Sequence, residues 1–273
     1  GSGNPTASNC CKHASLCDCA GAYRADGRLL ALIGGDEEAQ RRSDGVQTAA
    51  GREPLPGTDD SQRNACDSEA SQTVDPSPGL VRECGPVCRC STDSCSSRRS
   101  QGGIKVDVHI EKGRKGWSVI ADAPILVGTF VCEYAGELLK TSEAAARLRR
   151  YDCLPSESAG HALLAVREIL PSWTTCLRIN IDATQVGNVA RFINHSCDGG
   201  NLAPILVRES GSVIPRVCLY ASRTIHTGEE LTFSYGQPCG PHNEEDDGRP
   251  VRRQRRCACG AAACKGFLPS QAE

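Results

Sequence analysis

Arg191-Phe-Ile-Asn-His-Ser-Cys197 sets a polar, metal-competent cluster, Asn194 to Cys197, directly behind the apolar run Val189 to Ile193. Near the other end of the chain, Cys257-x-Cys259-x4-Cys264 supplies only three thiols. Zinc favours four soft or borderline ligands in a tetrahedron, so this trio needs a fourth donor from elsewhere. Cys197 is the candidate, and His195 beside it is the competing donor. Either choice folds the end of the chain back onto the 191–197 stretch.

The other cysteines support a metal reading. The chain has 273 residues, enough for one large domain or two modest ones, and 18 of them are Cys. Disulfide scaffolds so rich in cysteine are usually much smaller and secreted, and no apolar signal-peptide core opens this sequence. Cys10, Cys11, Cys17 and Cys19 come first, Cys84, Cys88, Cys90 and Cys95 follow, and Cys66 stands between the groups. These nine thiols of residues 1–100 hold three tetrahedral zincs if three sulfurs bridge, so two to three ions are expected there. Within this module, Val46, Leu55, Val74 and Leu80 are the only large aliphatics or aromatics between Gly34 and Leu80. Such a segment buries too little apolar surface to offset its ordering entropy, and residues 34–80 read as a disordered insertion. With no Met in the chain, Gly1-Ser-Gly3 reads as an expression remnant or a fragment start.

Charge excludes further classes. A formal charge of −2, from 31 basic and 33 acidic residues, gives no whole-chain reason to expect nucleic-acid or membrane-surface binding. No run approaches the roughly 20 apolar residues of a membrane span. The switch from Glu244-Glu-Asp-Asp247 to the arginines at 249–256 reads as a solvated linker over 237–256, ahead of a terminal zinc module at 257–273.

Between these modules, residues 101–236 have a strand texture. Ile104 to Ile110 alternates strictly, Lys112 to Gly116 is a turn, and Trp117 to Ala121 is a second strand. Thr129 to Tyr134 reads as a strand with Phe130, Cys132 and Tyr134 on one face, and Thr141 to Arg150 as a capped, Ala-rich helix. Short apolar runs follow at 161–169, 177–181, 205–208, 216–221 and 230–234, punctuated by Gly, Pro, Asn and Asp. No βαβ rhythm and no G-x-G-x-x-G between a strand and a helix appear, which argues against a Rossmann enzyme. The expected fold is α+β, mostly β, built of several small sheets.

Four blocks, in this order, carry a resemblance: Arg114-Lys-Gly-Trp117, Cys132-Glu-Tyr-Ala-Gly-Glu137, Arg191-Phe-Ile-Asn-His-Ser-Cys197, and Gly228-Glu-Glu-Leu-Thr-Phe-Ser-Tyr-Gly236. Together with the flanking cysteines they resemble the SET-domain protein lysine methyltransferases of the suppressor-of-variegation class, above all its plant members. The resemblance covers roughly residues 10–20 and 81–268. It implies a pre-SET zinc module, a SET domain with a knot-like C-terminal crossing, and a post-SET module with one zinc ligated by Cys197, Cys257, Cys259 and Cys264.

The same resemblance implies methyl transfer from S-adenosylmethionine to a histone lysine, with lysine 9 of histone H3 and di- or trimethylation expected. A lysine amine has a pKa of about 10.4, so it must react deprotonated and aligned with the methyl, a task phenolic hydroxyls suit. Tyr235 would stand beside the transferring methyl, Tyr134 would bind the target amine, and Phe233 would leave room for more than one methyl. Lys115, Gly116, Trp117, Asn194 and His195 would line the cofactor site. Arg191, one helical turn before His195, would reach the cofactor carboxylate or brace the loop.

The implied partners are the histone H3 tail and chromatin, in the nucleus and on the chromosome, with no membrane and no direct sequence-specific nucleic-acid contact. Three departures from the family pattern stand out. The first cysteine group has four members where five are usual, so either the N-terminus is cut through the cluster or Cys66 returns from the insertion to complete it. Gly160-His-Ala-Leu-Leu-Ala165 stands where relatives often carry a Tyr, with Tyr151 some distance upstream, and Ser234 stands where many carry Asp. The rival readings are a methyltransferase for another histone or non-histone lysine, and a catalytically inactive, zinc-stabilised chromatin interaction module.

Overall fold

Val217, Cys218, Leu219, Tyr220 and Ala221 are all fully shielded from solvent. A strand buried on both faces has to lie between two layers, and this one is the hub of the molecule. A computed structural model of the protein describes residues 28–29, 80–90, 95–113, 115–153, 160–169, 176–236 and 255–269. The predicted insertion at 34–80 and linker at 237–256 lie outside the described residues, except for Leu80, Arg255 and Arg256.

The strands are β1 (Val81–Glu83), β2 (Val108–Gly113), β3 (Gly116–Ala121), β4 (Phe130–Glu133), β5 (Gly136–Leu139), β6 (Leu163–Ile169), β7 (Cys176–Gly187), β8 (Asn194–His195), β9 (Leu202–Glu209), β10 (Arg216–Ala221) and β11 (Thr232–Phe233). Among the described residues one α-helix, α1 (Thr141–Asp152), follows β5. They form a four-stranded sheet ordered β1-β9-β10-β4, a three-stranded sheet β5-β7-β6, a hairpin β2-β3 and a short pair β11-β8. Among the described residues no helix is long and apolar enough to cross a membrane. The architecture is the mostly β one, with several small sheets, that the sequence leads one to expect.

One core cluster joins these sheets: Val119 of β3, Ile179 and Ile181 of β7, Leu206 of β9, Val217 and Leu219 of β10, and Phe233 of β11. Fully burying such aliphatic side chains contributes about 1.5–3 kcal/mol each. The other face of the four-stranded sheet holds a second cluster, in which Phe130 and Tyr220 meet edge to face at 5.5 Å.

Several local expectations need correction. The first strand of the hairpin begins at Val108 rather than Ile104 and runs into the predicted turn, closing with Gly113 opposite Gly116. Phe130 does not share a face with Cys132 and Tyr134. Tyr220 pairs with Phe130 while Leu219 pairs with Cys132, so Val131 is an extra, bulged residue. The bulge reverses the alternation and sends Phe130 to the second cluster while Cys132 and Tyr134 join the first. The helix lacks its expected side-chain cap: Thr141 is already helical and Lys140 caps without a side-chain hydrogen bond. Glu143 in the first turn and Arg149 and Arg150 in the last favour the helix dipole instead.

Two buried carboxylates brace the architecture. Asp182 of β7 is fully shielded, paired with Arg147 of α1 at 2.9 Å, and accepts the Tyr151 hydroxyl at 2.7 Å. Burial by itself would raise its pKa, but hydrogen bonds from Thr184, Tyr151 and Arg147 hold it below the usual carboxylate range. Glu83, also fully shielded, accepts from the Ser100 backbone N–H and hydroxyl and from Gln101, each at 2.9 Å. Arg216 of β10 lies 3.5 Å from Glu83 and 3.1 Å from Glu133, joining β1 to the strand that leads into Tyr134.

Candidate active site

The apolar run before Asn194 folds as a short 3-10 helix, Val189–Phe192, whose first turn the Asn188 side chain caps. Ile193 is extended, and Asn194 and His195 form β8. Arg191 is therefore not on a helical turn shared with His195, as the sequence suggested; its guanidinium lies over the Phe192 ring, 5.1 Å from the centroid.

β11 runs parallel to β8, with Thr232 opposite Asn194 and Phe233 opposite His195. This pairing depends on Gly200, whose φ is +77° and whose Cβ, were there one, would fall 2.4 Å from the Thr232 carbonyl oxygen. The ladder continues beyond the strands: the Ser196 N–H donates to the Phe233 carbonyl at 3.1 Å, and the Tyr235 N–H to His195 Nδ1 at 3.1 Å. Nδ1 is thus the acceptor, which leaves the proton of the neutral ring on Nε2, 3.2 Å from the Cys197 sulfur. Burial lowers the pKa of His195 and favours that neutral form.

Tyr134, Phe233 and Tyr235, from three separate parts of the sequence, form one aromatic group. Ring centroids lie 6.3 Å apart for Tyr134 and Phe233, and 4.9 Å apart for Phe233 and Tyr235. Tyr134 donates its hydroxyl to the Ala162 carbonyl at 2.8 Å, and Tyr235 to the Ile193 carbonyl at 2.6 Å. With each O–H proton committed to a carbonyl, each phenolic oxygen keeps its lone pairs for other partners. Burial pushes both phenols well above their ordinary range, so both stay neutral at physiological pH.

A second constellation lies where β3 meets β8. The Asn194 amide nitrogen lies 3.1 Å from the Trp117 carbonyl, 3.0 Å from the Ser118 hydroxyl and 2.8 Å from Glu230 Oε1. The other Glu230 oxygen takes the Lys115 ammonium at 2.5 Å. Burial opposes ionisation of Glu230, but Lys115, Asn194 and Ser118 outweigh it and hold its pKa low. Gly116 has a φ of +97°, and nothing lies within 4 Å of where its Cβ would be, so the backbone there faces open space. Lys115, Gly116, Trp117 and Asn194 thus share one polar cradle, with Trp117 contributing its backbone. Sequence reasoning missed Glu230 and Ser118, although Glu230 sits inside a quoted block.

The structure gathers the thiols in two places. Cys197, Cys257, Cys259 and Cys264 place their sulfurs within 4.8 Å of one another, and those of Cys197 and Cys257 are 3.7 Å apart. A tetrahedral zinc with Zn–S bonds of about 2.3 Å needs sulfur–sulfur edges of about 3.8 Å, so the set fits that ion. Burial works against ionisation of Cys259, but backbone N–H groups of Cys197 and Ala261 and the neighbouring thiols bring its pKa to about 6. A thiolate is thereby available for a cation. Cys84, Cys90 and Cys95 form the second group, and Cys88 stands outside it. Cys10, Cys11, Cys17, Cys19 and Cys66, the other expected ligands, lie outside the described residues.

A family model for the SET domain matches residues 116–236. The methyltransferase domain of human histone-lysine N-methyltransferase SETMAR superposes with a TM-score of 0.58 at 33% identity, covering 73% of this chain and 71% of that one. The chain belongs to the SET-domain family. Histone-lysine N-methyltransferase SUVR3 of Arabidopsis thaliana is 50% identical over 194 residues, 70% of this chain and 53% of that protein. SUVH6 of the same plant, named as H3 lysine-9 specific, is 34% identical over 202 residues, 69% of this chain and 25% of its own length. A crystal structure of SUVH6 in complex with SAM superposes with a TM-score of 0.56 at 34% identity, covering 69% of this chain and 38% of that one. The chain therefore spans about half of SUVR3 and a quarter of SUVH6.

Proposed function

We propose that this protein is a histone-lysine N-methyltransferase that uses S-adenosylmethionine, acts on lysine 9 of histone H3 and works in the nucleus on chromatin. The observation that carries the reading is the closure of Tyr134, Phe233 and Tyr235 against the Asn194–His195 strand, beside the Lys115–Trp117 cradle. Kinship with SUVR3, and with SUVH6 by its name and its bound SAM, supports the reaction, the cofactor and the target.

S-adenosylmethionine, when bound, supplies a methyl group made electrophilic by a sulfonium. Lys115, the backbone at Gly116 and Trp117, Asn194 and His195 hold the cofactor in this reading. In this reading Tyr134 and Tyr235 line a channel that admits the target lysine, where their phenolic lone pairs orient the amine and the methyl without introducing charge. Phe233, 1% exposed, leaves the space for added methyl groups free of a hydroxyl. Replacing Phe233 by Tyr shifts the product from di- and trimethyl to monomethyl lysine, with the first transfer nearly unchanged. Mass spectrometry of the product reads this directly.

Because both phenols stay neutral, neither serves as the general base, and the target lysine has to arrive deprotonated. The rate with subsaturating peptide then rises with pH, about tenfold per unit between pH 7 and 9, as the neutral fraction of an amine of pKa about 10.4 grows. A plateau already reached at pH 7 would contradict this assignment. The target itself is tested with H3 tail peptides: methylation is expected on the native sequence and lost when lysine 9 is replaced by arginine. Undiminished transfer to the substituted peptide would overturn the lysine 9 assignment.

A further inference from the structure

The segment that enters the C-terminal thiol cluster is held by its own backbone. The Leu268 N–H donates to the Arg255 carbonyl at 2.9 Å, the Cys257 N–H donates to the Gly266 carbonyl at 2.9 Å, and Arg256 bridges to Phe267. This short antiparallel ladder fixes where the Arg255 side chain starts.

The side chain then leaves the ladder and lies on Gly160. A Cβ placed on Gly160 would fall 1.6 Å from Nη1, 2.4 Å from Cζ and 2.7 Å from Nη2 of Arg255. The whole guanidinium plane thus occupies the space that any other residue at 160 would take. Gly160 opens the stretch that walls the channel in the proposed reading: the Ala162 carbonyl accepts the Tyr134 hydroxyl at 2.8 Å, and His161 stacks on Tyr151 at 5.3 Å. Against the burial that raises the Tyr235 phenol, the Arg255 charge works in the opposite direction, so it is also within Coulombic reach of that ring.

We propose that Arg255 is a positioning residue that latches the C-terminal thiol cluster onto the channel wall at 160–162, with the bare Cα of Gly160 as its seat. The latch joins the three parts of the channel that come from distant sequence: Tyr134 through Ala162, Tyr235, and the cluster that includes Cys197. Its consequence for turnover rests on the methyltransferase reading; the contact itself does not. A planar fork suits this seat where the compact ammonium of lysine does not. Gly160 explains itself in the same way, because its neighbour is the end of a flexible side chain and alanine would displace that end without disturbing the core.

The test compares the zinc-loaded full chain with Arg255→Ala, Arg255→Lys, Gly160→Ala and the double Arg255→Ala/Gly160→Ala variant. Hydrogen–deuterium exchange over residues 255–268 is expected to quicken in Arg255→Ala and, from a position remote in sequence, equally in Gly160→Ala. The KM for an H3 peptide is expected to rise about fivefold in each while zinc content stays the same. The double variant is expected to be no worse than either single one, and Arg255→Lys to fall between wild type and Arg255→Ala. Exchange unchanged by Gly160→Ala, additive effects in the double variant, or zinc loss on replacing Arg255 would each overturn the latch. If wild type transfers no methyl, the functional reading fails, and the exchange experiment still decides the contact.

Discussion

Replacing Tyr235 by Phe lowers kcat for methyl transfer by about 10²–10³-fold while the affinity for S-adenosylmethionine changes little. Tyr235 shares its environment with Phe233 at 4.9 Å and His195 at 5.3 Å, so the ring stays where packing holds it. The hydroxyl donates to the Ile193 carbonyl at 2.6 Å, and losing that hydrogen bond costs about 1 kcal/mol of stability. Folding therefore survives, and what disappears is the neutral oxygen proposed to align the methyl and the amine. Steady-state kinetics with calorimetric cofactor binding check both halves. A kcat reduced by less than about threefold would mean that the phenolic oxygen takes no part in the reaction.

The largest expected loss of stability lies elsewhere. Arg216→Met destabilises the protein by about 3 kcal/mol, because Glu83, fully shielded among Ser100 and Gln101 donors, loses a guanidinium 3.5 Å away. Glu133 and Glu209, 3.1 and 2.9 Å from the same guanidinium, lose it as well. Chemical denaturation followed by circular dichroism measures the change. Adding Glu83→Gln to the Arg216→Met protein is expected to return part of the stability, since it replaces the carboxyl that faced the guanidinium with a neutral amide. A double variant weaker than Arg216→Met would show that Glu83 is held mainly by its hydrogen bonds and that the arginine is incidental.

How much of this could be read beforehand follows from the range of the interactions. Apolar alternation is local, so β10 was legible at Arg216–Ala221, as was a strand close to the observed bounds of β3. The bulge at Val131 depends on the register between β4 and β10, and for that reason the face of Phe130 was misread. β5, Gly136–Leu139, carries no strong β signal and forms because β7 offers it an edge. In the site, ligand counting pointed to Cys197, because three thiols near the terminus want a fourth. No counting rule pointed to Glu230, whose partners Lys115 and Asn194 lie 115 and 36 residues away in sequence. Arg216 and Glu83, 133 residues apart, were equally hidden. Tyr151 is carried by α1 to the stretch 160–162 and stacks on His161 at 5.3 Å, a contact that sequence separation conceals. Its hydroxyl is engaged by Asp182 rather than left for a ligand.

The most direct test is intact-mass spectrometry of recombinant histone H3 after incubation with the zinc-loaded protein and S-adenosylmethionine. Methylated H3 should accumulate with wild type and be all but absent with Tyr235→Phe. Unmodified H3 in the presence of wild-type protein that demonstrably binds S-adenosylmethionine would contradict the assignment of histone H3 methyl transfer to this site.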